Sequence, residues 1–378
     1  MNNINIRFKR LAALCAVMLM IFLCACSVPV SSDVSETQPV KAPDGELAVH
    51  FIDVGQGDSE FIELPNGETM LIDAGEREYG ETVCDYISSL GYSEIDYLVA
   101  THPHSDHIGG LPDVLDNFDV LNIYMPDAES SSSIYSEFLD KAQAEGCPVI
   151  QAAESVSVIE SDELSAEFLA PCSSDYDDLN NYSAVLRLTF CNNSFLFMGD
   201  AEELSENEIK SDVSADVVKV GHHGSDTSSS QNFVKRVSPQ YAVIEVGEGN
   251  SYGHPDSEIV ERWQNAGAQV LRTDILGNIV IISNGNELTV NTLEDNGSDS
   301  SQQAENSTQP TRQTQETDNG SENSPEYKYV LNTSSKKIHM PDCSAVSSMS
   351  ESNKEYTNSS LQELESDGYT PCSLCDPE

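Results

Sequence analysis

Three of the eight histidines in this 378-residue chain fall within seven consecutive positions, Thr101-His102-Pro103-His104-Ser105-Asp106-His107, directly after an apolar run. Residues two apart in extended backbone point the same way, so His102 and His104 can share one ion. Asp106 and His107, a turn later, can face a second ion beside it. Imidazole with carboxylate, and no thiol close by, suits zinc, manganese or iron. Further along, Asp200 follows Phe197-Met198-Gly199, so a strand ending at glycine aims its carboxylate. His222 and His223 are adjacent in Gly221-His222-His223-Gly224, and His254 precedes Pro255. Asp73, in Asp73-Ala74-Gly75, reads from the residues alone as a turn-former. Asp58, after Gly57, either faces the site or serves a turn. A separate set lies near the C-terminus: His339-x3-Cys343 and Cys372-x2-Cys375. Four such ligands suit a closed tetrahedral zinc, which a module of about fifty residues needs to stabilise so small a core. A Cys372–Cys375 disulfide is the oxidised alternative, but it leaves Cys343 over.

The elements that must position these groups are readable between residues 46 and 291. Strand patterns at 47–53, 59–64, 70–73 and 96–100 alternate with a helix at 81–90, and a helix at 134–145 follows. Further strands are expected at 164–169, 184–190, 194–198, 216–220 and 241–246, with helices at 231–237 and 257–266. Strands at 270–273, 279–283 and 287–291 close the region. Mixed strands and helices over this length argue for sheets covered by helices, an α/β or α+β sandwich. His50 sits on an expected strand and reads as a packed or surface histidine. Cys84, Cys147, Cys172 and Cys191 carry no spacing that marks a pairing.

Composition divides the rest of the chain. Only 38% of residues are hydrophobic and the formal charge is −46, which excludes a membrane-spanning bundle, a basic DNA coat and a collagenous fibre. Acidity of this size disfavours adsorption to nucleic acid or anionic lipid, although a bound metal dominates the field of its own site. Arg7, Lys9 and Arg10 precede an apolar run at 11–23, the architecture of a signal peptide rather than a membrane span. Leu23-Cys24-Ala25-Cys26 resembles a bacterial lipobox, which makes residues 1–25 a lipoprotein signal peptide and Cys26 the lipidated residue. Loss of residues 1–25 brings the charge to −49. Residues 26–45 read as a stalk and 292–326, polar with one Leu and no aromatic, as a disordered linker. Residues 327–378 form the small metal-binding module.

Residues 46–291 resemble the metallo-β-lactamase superfamily, most nearly the hydrolase domain of ComEC/Rec2-type competence proteins. The resemblance rests on six motifs in order: Phe51–Ser59, Leu71–Gly75, Thr101–Gly110, Phe197–Glu202, Lys219–Ser225 and Tyr252–Pro255. It implies an αββα sandwich with two divalent ions, zinc or manganese, at the sheet ends. Carried over, His102 and His104 are ligands of the first ion, Asp106 and His107 of the second, and Asp200 bridges them. His222 or His223 completes the second site, and His254 is a late ligand or a substrate contact. Asp73 orients a ligand imidazole. Many relatives place another histidine between the first motif and the later aspartate; here Asn180-Asn181-Tyr182-Ser183 stands there, with Asn181 or water filling in. Residues 327–378 resemble the metal-binding domain of the Ada repair protein, with His339 replacing its first cysteine.

The expected protein is an extracytoplasmic, lipid-anchored, metal-dependent hydrolase. The resemblance makes its substrate a phosphodiester, DNA or nucleotides, attacked by hydroxide held between the ions. A lactonase-like or other ester hydrolase is the enzymatic alternative. A DNA- or surface-binding lipoprotein with purely structural metals is the other, disfavoured because a structural site needs neither a second ion nor an open position.

Overall fold

In a computed structural model, the described residues are 39–292 and, with gaps, 328–372. Cys26, the expected signal peptide, most of the stalk, nearly all of the linker and Cys375 lie outside them. No helix among the described residues is long and apolar enough to cross a membrane.

Two large sheets carry the architecture. The first has eight strands in the order Leu288–Thr292, Ile279–Ser283, Leu47–Phe51, Glu60–Glu63, Thr69–Ile72, Tyr97–Val99, Ile123–Met125 and Val149–Gln151. The second has seven: Gln269–Arg272, Tyr241–Ile244, Val217–Lys219, Asn193–Phe197, Leu186–Phe190, Leu164–Phe168 and Ser157–Glu160. Side-chain alternation explains how they stack. Leu47, Val49 and Phe51 share one apolar cluster with Phe195, Phe197 and Val217, so these faces meet in the middle. The Phe51 and Phe197 rings lie 6.4 Å apart there. Each such buried Phe contributes about 1.5–3 kcal/mol.

The intervening residues face outward under helices. Phe61, Leu71 and Leu98 pack with Val83 and Ile87 of the helix Gly80–Ser89 and Phe138 of the helix Ser133–Glu145. On the other side Leu196, Val218 and Ala242 pack under Phe233 of Gln231–Val237 and Trp263 of Ser257–Asn265. Three apolar layers separated by two sheets make an αββα sandwich, as the sequence implies. The expected strands and helices form with ends displaced by one or two residues. Strands at Ile123–Met125 and Val149–Gln151 were not anticipated, being three residues each.

Topology sets where function can reside. Thr69–Ile72 runs parallel to Tyr97–Val99, and Asn193–Phe197, Val217–Lys219 and Tyr241–Ile244 run parallel to one another. The carboxyl ends of these strands therefore open into loops, the usual place for a ligand crevice in such sheets. The chain enters at Leu47, the opposite end of its strand from the turn bearing Asp58. The register Phe51–Ile279–Thr292 brings it out at the same end as that turn.

Residues 329–371 form a separate four-stranded sheet, ordered Lys354–Thr357, Tyr329–Asn332, Lys337–His339 and Thr370–Pro371. Its small core has one cluster of Tyr329, Leu331, Ile338, Leu364 and Tyr369, and another that includes Cys343 and Cys372.

Candidate metal centre

Loops from both sheets converge on Asp200. Its Oδ2 lies 3.2 Å from His107 Nε2, 3.8 Å from His102 Nε2 and 3.8 Å from His222 Nε2, while Oδ1 lies 3.5 Å from His223 Nε2. Asp106 Oδ2 closes the group at 3.4 Å from His223 Nε2. Asp106, His107, Asp200 and His223 form one set whose ligand atoms lie within 4.8 Å of one another; His102, His104 and Asp200 form another. Asp200 belongs to both. His222 and His254 belong to neither, so of the histidine pair it is His223 that enters the cage.

Local backbone makes that separation. His222 and His223 both have positive φ, 51° and 52°. Such conformations cost roughly 1–3 kcal/mol each in non-glycine residues and cluster at functional sites. They turn adjacent side chains apart: His223 is buried, whereas His222 is partly exposed with its Nδ1 3.0 Å from Thr227 Oγ1. Gly57 has φ 153°, and a side chain there would strike the Asp106 carbonyl, so glycine lets the Asp58 turn approach the histidine motif.

A second layer fixes the imidazoles. Asp73 Oδ2 lies 2.8 Å from His107 Nδ1, and Asp73 also accepts from the Thr101 amide and hydroxyl. His223 Nδ1 lies 3.0 Å from the Glu245 carbonyl and 3.2 Å from Asp58 Oδ1. With Nδ1 donating outward, Nε2 of each ring is left to face the cage. Both Nε2 atoms, together with Asp200 Oδ1, are buried without a hydrogen-bond partner.

These orphaned atoms are the donor set a metal ion would satisfy. Two bonds of about 2.1 Å to one tetrahedral ion place ligand atoms roughly 3.4 Å apart, within the spacings above. The electrostatics agree. Burial pushes the His107 pKa down, but Asp200, Asp58 and Asp106 outweigh it and hold the value well above the ordinary one. The same opposition raises His223 to about 10. Burial would raise Asp200, yet His107 and His223 hold it well below the usual carboxylate range. The cage is so rich in negative charge that His107 and His223 retain protons, which divalent ions would displace, whereas burial and the neighbouring His107 hold His102 well below the ordinary histidine value.

Sequence reasoning overlooked the layer behind it. Lys219, on a strand facing between the sheets, is fully buried, contacts Asp58 Oδ2 and donates to the Gly199 carbonyl at 3.0 Å. Beside Asp58 lie buried Glu60 and Glu245. Burial, then Asp58 for the first and Glu60 for the second, raises both carboxyls well above their usual range. Asp58 is thus a site residue as well as a turn residue. Asn181 does not fill in at the first ion: its amide donates to Glu202 and accepts from the Ser205 amide. Asn180 is the one near the centre, 3.4 Å from His222 Nε2. His50 is buried against Glu63 and Tyr86, remote from the cage. Cys84, Cys147, Cys172 and Cys191 form no disulfide.

The family model described as the metallo-beta-lactamase superfamily matches residues 52–247. The chain belongs to the metallo-β-lactamase superfamily. ComE operon protein 3 of Bacillus subtilis is 32% identical over 261 residues, covering 64% of this chain and 33% of its own length. Competence protein ComA of Neisseria gonorrhoeae is 31% identical over 248 residues, with the same coverages, 64% and 33%. This chain therefore spans about a third of those relatives. Recombination protein 2 of Haemophilus influenzae is 26% identical over 240 residues, 61% of this chain and 28% of that one. Among solved structures, the metallo-β-lactamase-fold protein YhfI of Bacillus subtilis aligns over 63% of this chain and all of its own, at 11% identity and a TM-score of 0.44.

In the smaller sheet, His339, Cys343 and Cys372 bring ligand atoms within 4.8 Å of one another, and all three are buried. His339 Nε2 has no hydrogen-bond partner. Three donors of this kind in a small core fit a zinc, with Cys375 the fourth candidate by sequence.

Proposed function

We propose that the protein is a lipid-anchored, extracytoplasmic phosphodiesterase acting on DNA or nucleotides with two divalent ions, zinc or manganese. The observation that supports two ions is Asp200, a single buried carboxylate shared by two sets of ligand atoms. In this reading His102 and His104 would hold one ion, Asp106, His107 and His223 would hold the other, and Asp200, common to both sets, would serve each. His222 and His254 stand at the rim, where they meet substrate. The ions, when bound, supply a water nucleophile near neutral pH and neutralise charge developing at phosphorus.

The chain's own groups do the remaining work. Asp73 and the Glu245 carbonyl keep Nδ1 protonated on His107 and His223, so each ring presents Nε2. Lys219 balances the Asp58 charge and ties it to the Gly199 carbonyl just before Asp200. His222, with its Nδ1 against Thr227, is placed to hydrogen-bond a phosphoryl oxygen or to pass a proton to the leaving oxygen. Relatives named for competence and recombination support DNA as the substrate class. Anchoring is supported by residues 1–26 alone.

The test is a panel of phosphodiester, lactone and thioester substrates with the protein loaded with zinc or manganese. Turnover of phosphodiesters, lost together with metal in Asp200→Ala, is the expected result. Turnover of lactones or thioesters without phosphodiesters overturns the substrate class. Cys26→Ser should move the protein out of the membrane fraction, and unchanged lipid labelling would refute the anchor.

A further inference from the structure

An aromatic column rises out of the cage. The His107 and His223 rings lie 5.4 Å apart at 35°, His223 and His254 6.4 Å apart at 27°, and His254 and Tyr252 5.8 Å apart at 24°. It begins at buried ligand candidates and ends at Tyr252, whose 71% exposure is the highest of any large apolar side chain among the described residues. Single exposed aromatics are ordinary on protein surfaces. This one is held in place. Asn250 Oδ1 accepts from the backbone amides of Tyr252 and His254, and its Nδ2 donates to the carbonyls of His254 and Gly247. One asparagine thus fixes the loop that carries the ring.

We infer that Tyr252, backed by His254, is a stacking shelf for a nucleobase next to the phosphodiester held at the cage. The inference rests on the phosphodiesterase reading and adds how the substrate is held. Single-stranded nucleic acid is commonly gripped by basic grooves together with aromatic faces. A chain with 18 basic against 64 acidic residues has little charge to offer, so stacking, which needs none, carries more of the burden. Every base presents a π-face, and the shelf therefore selects for nucleotides over simple phosphate esters without selecting a sequence.

The test compares two substrates of the metal-loaded, full-length protein: the p-nitrophenyl ester of thymidine 5′-monophosphate, and methyl p-nitrophenyl phosphate, which has the same leaving group and no base. Tyr252→Ala should raise KM for the nucleotide ester by about 5- to 100-fold, leaving kcat and the methyl ester unaffected. Tyr252→Phe should restore the wild-type KM, since the ring and not the hydroxyl is used. Equal effects on both substrates, or no effect on either, overturn the shelf while the phosphodiesterase reading stands. If the wild-type protein turns over neither ester, that reading falls first and the shelf falls with it.

Discussion

Asp73 and His107, thirty-four residues apart, meet through a carboxylate–imidazole contact of 2.8 Å with both side chains fully buried. Asp73 has φ 54° immediately after its strand, a conformation few non-glycine residues adopt without a reason. Its reason is to orient the ring. Asp73→Ala should leave the ligands in place but weaken metal binding by about 10- to 100-fold, as loss of such outer partners does. Chelator competition with wild-type and variant protein measures this, and equal affinities would show that Asp73 serves only the turn.

Metal binding should release protons. His223 is raised to about 10 and His107 is raised as well, so both rings are charged in the metal-free protein at neutral pH. A metal ligand must be neutral at the coordinating nitrogen, so each ring gives up a proton on binding. Calorimetry near pH 7.5 in two buffers of different ionisation enthalpy should give different heats, with affinity climbing as pH rises. Identical heats would contradict the charge state.

The same shifts set the stability of the metal-free protein, and the sign differs between groups. His223 contributes stability that is complete below the free-histidine value of about 6.5 and is lost as pH rises toward about 10. Asp200, held low, contributes stability present above about 3.8 and lost as acid protonates it. Chelated protein should therefore melt highest at mildly acid pH and lose stability toward alkaline pH. Loaded protein should not show the alkaline loss. A flat melting profile from pH 6 to 9 without metal would be the contrary result.

Lys219 and Asp58 are a buried pair whose members cannot be removed singly. Lys219→Met should destabilise the protein by about 3–5 kcal/mol, because Asp58 then loses the buried cation in direct contact with it. Adding Asp58→Asn should recover part of that loss. Denaturant midpoints on chelated protein decide it, and additive losses in the double variant would mean the two are not coupled.

In the smaller sheet, Cys372→Ser should remove one zinc per chain from the full-length protein and leave turnover of a small phosphodiester unchanged. Metal counting separates this ion from those at Asp200. An unchanged count would mean that His339, Cys343 and Cys372 pack as ordinary core.

Much of this was legible because ligands came in short stretches. His102, His104, Asp106 and His107 lie within six residues, and the strands on either side carry plain apolar alternation. The choice between His222 and His223 was not, since it depends on two consecutive left-handed residues that no spacing announces. Lys219 between two valines and another reads as a strand residue facing water; only the stacking of a second sheet buries it. Glu60 and Glu245 escaped for the same reason, each acidic in an apolar run and far apart in sequence. Asn181 reads as a ligand substitute from its place in the order of motifs, but its neighbours in space, Glu202 and Ser205, claim its amide.

The opposite ends at which the backbone joins and leaves the first sheet give the body a direction. A pull on the chain before Leu47 is borne by strand pairing with Ile279–Ser283 and by the Ala42 amide bonded to Glu63, at the far end from the cage. Load applied there shears hydrogen bonds that no ligand side chain shares. The backbone leaves at Thr292 instead from the end where the ligand loops open. Force on the entering backbone and access to the ligand loops thus fall at different poles of one sandwich.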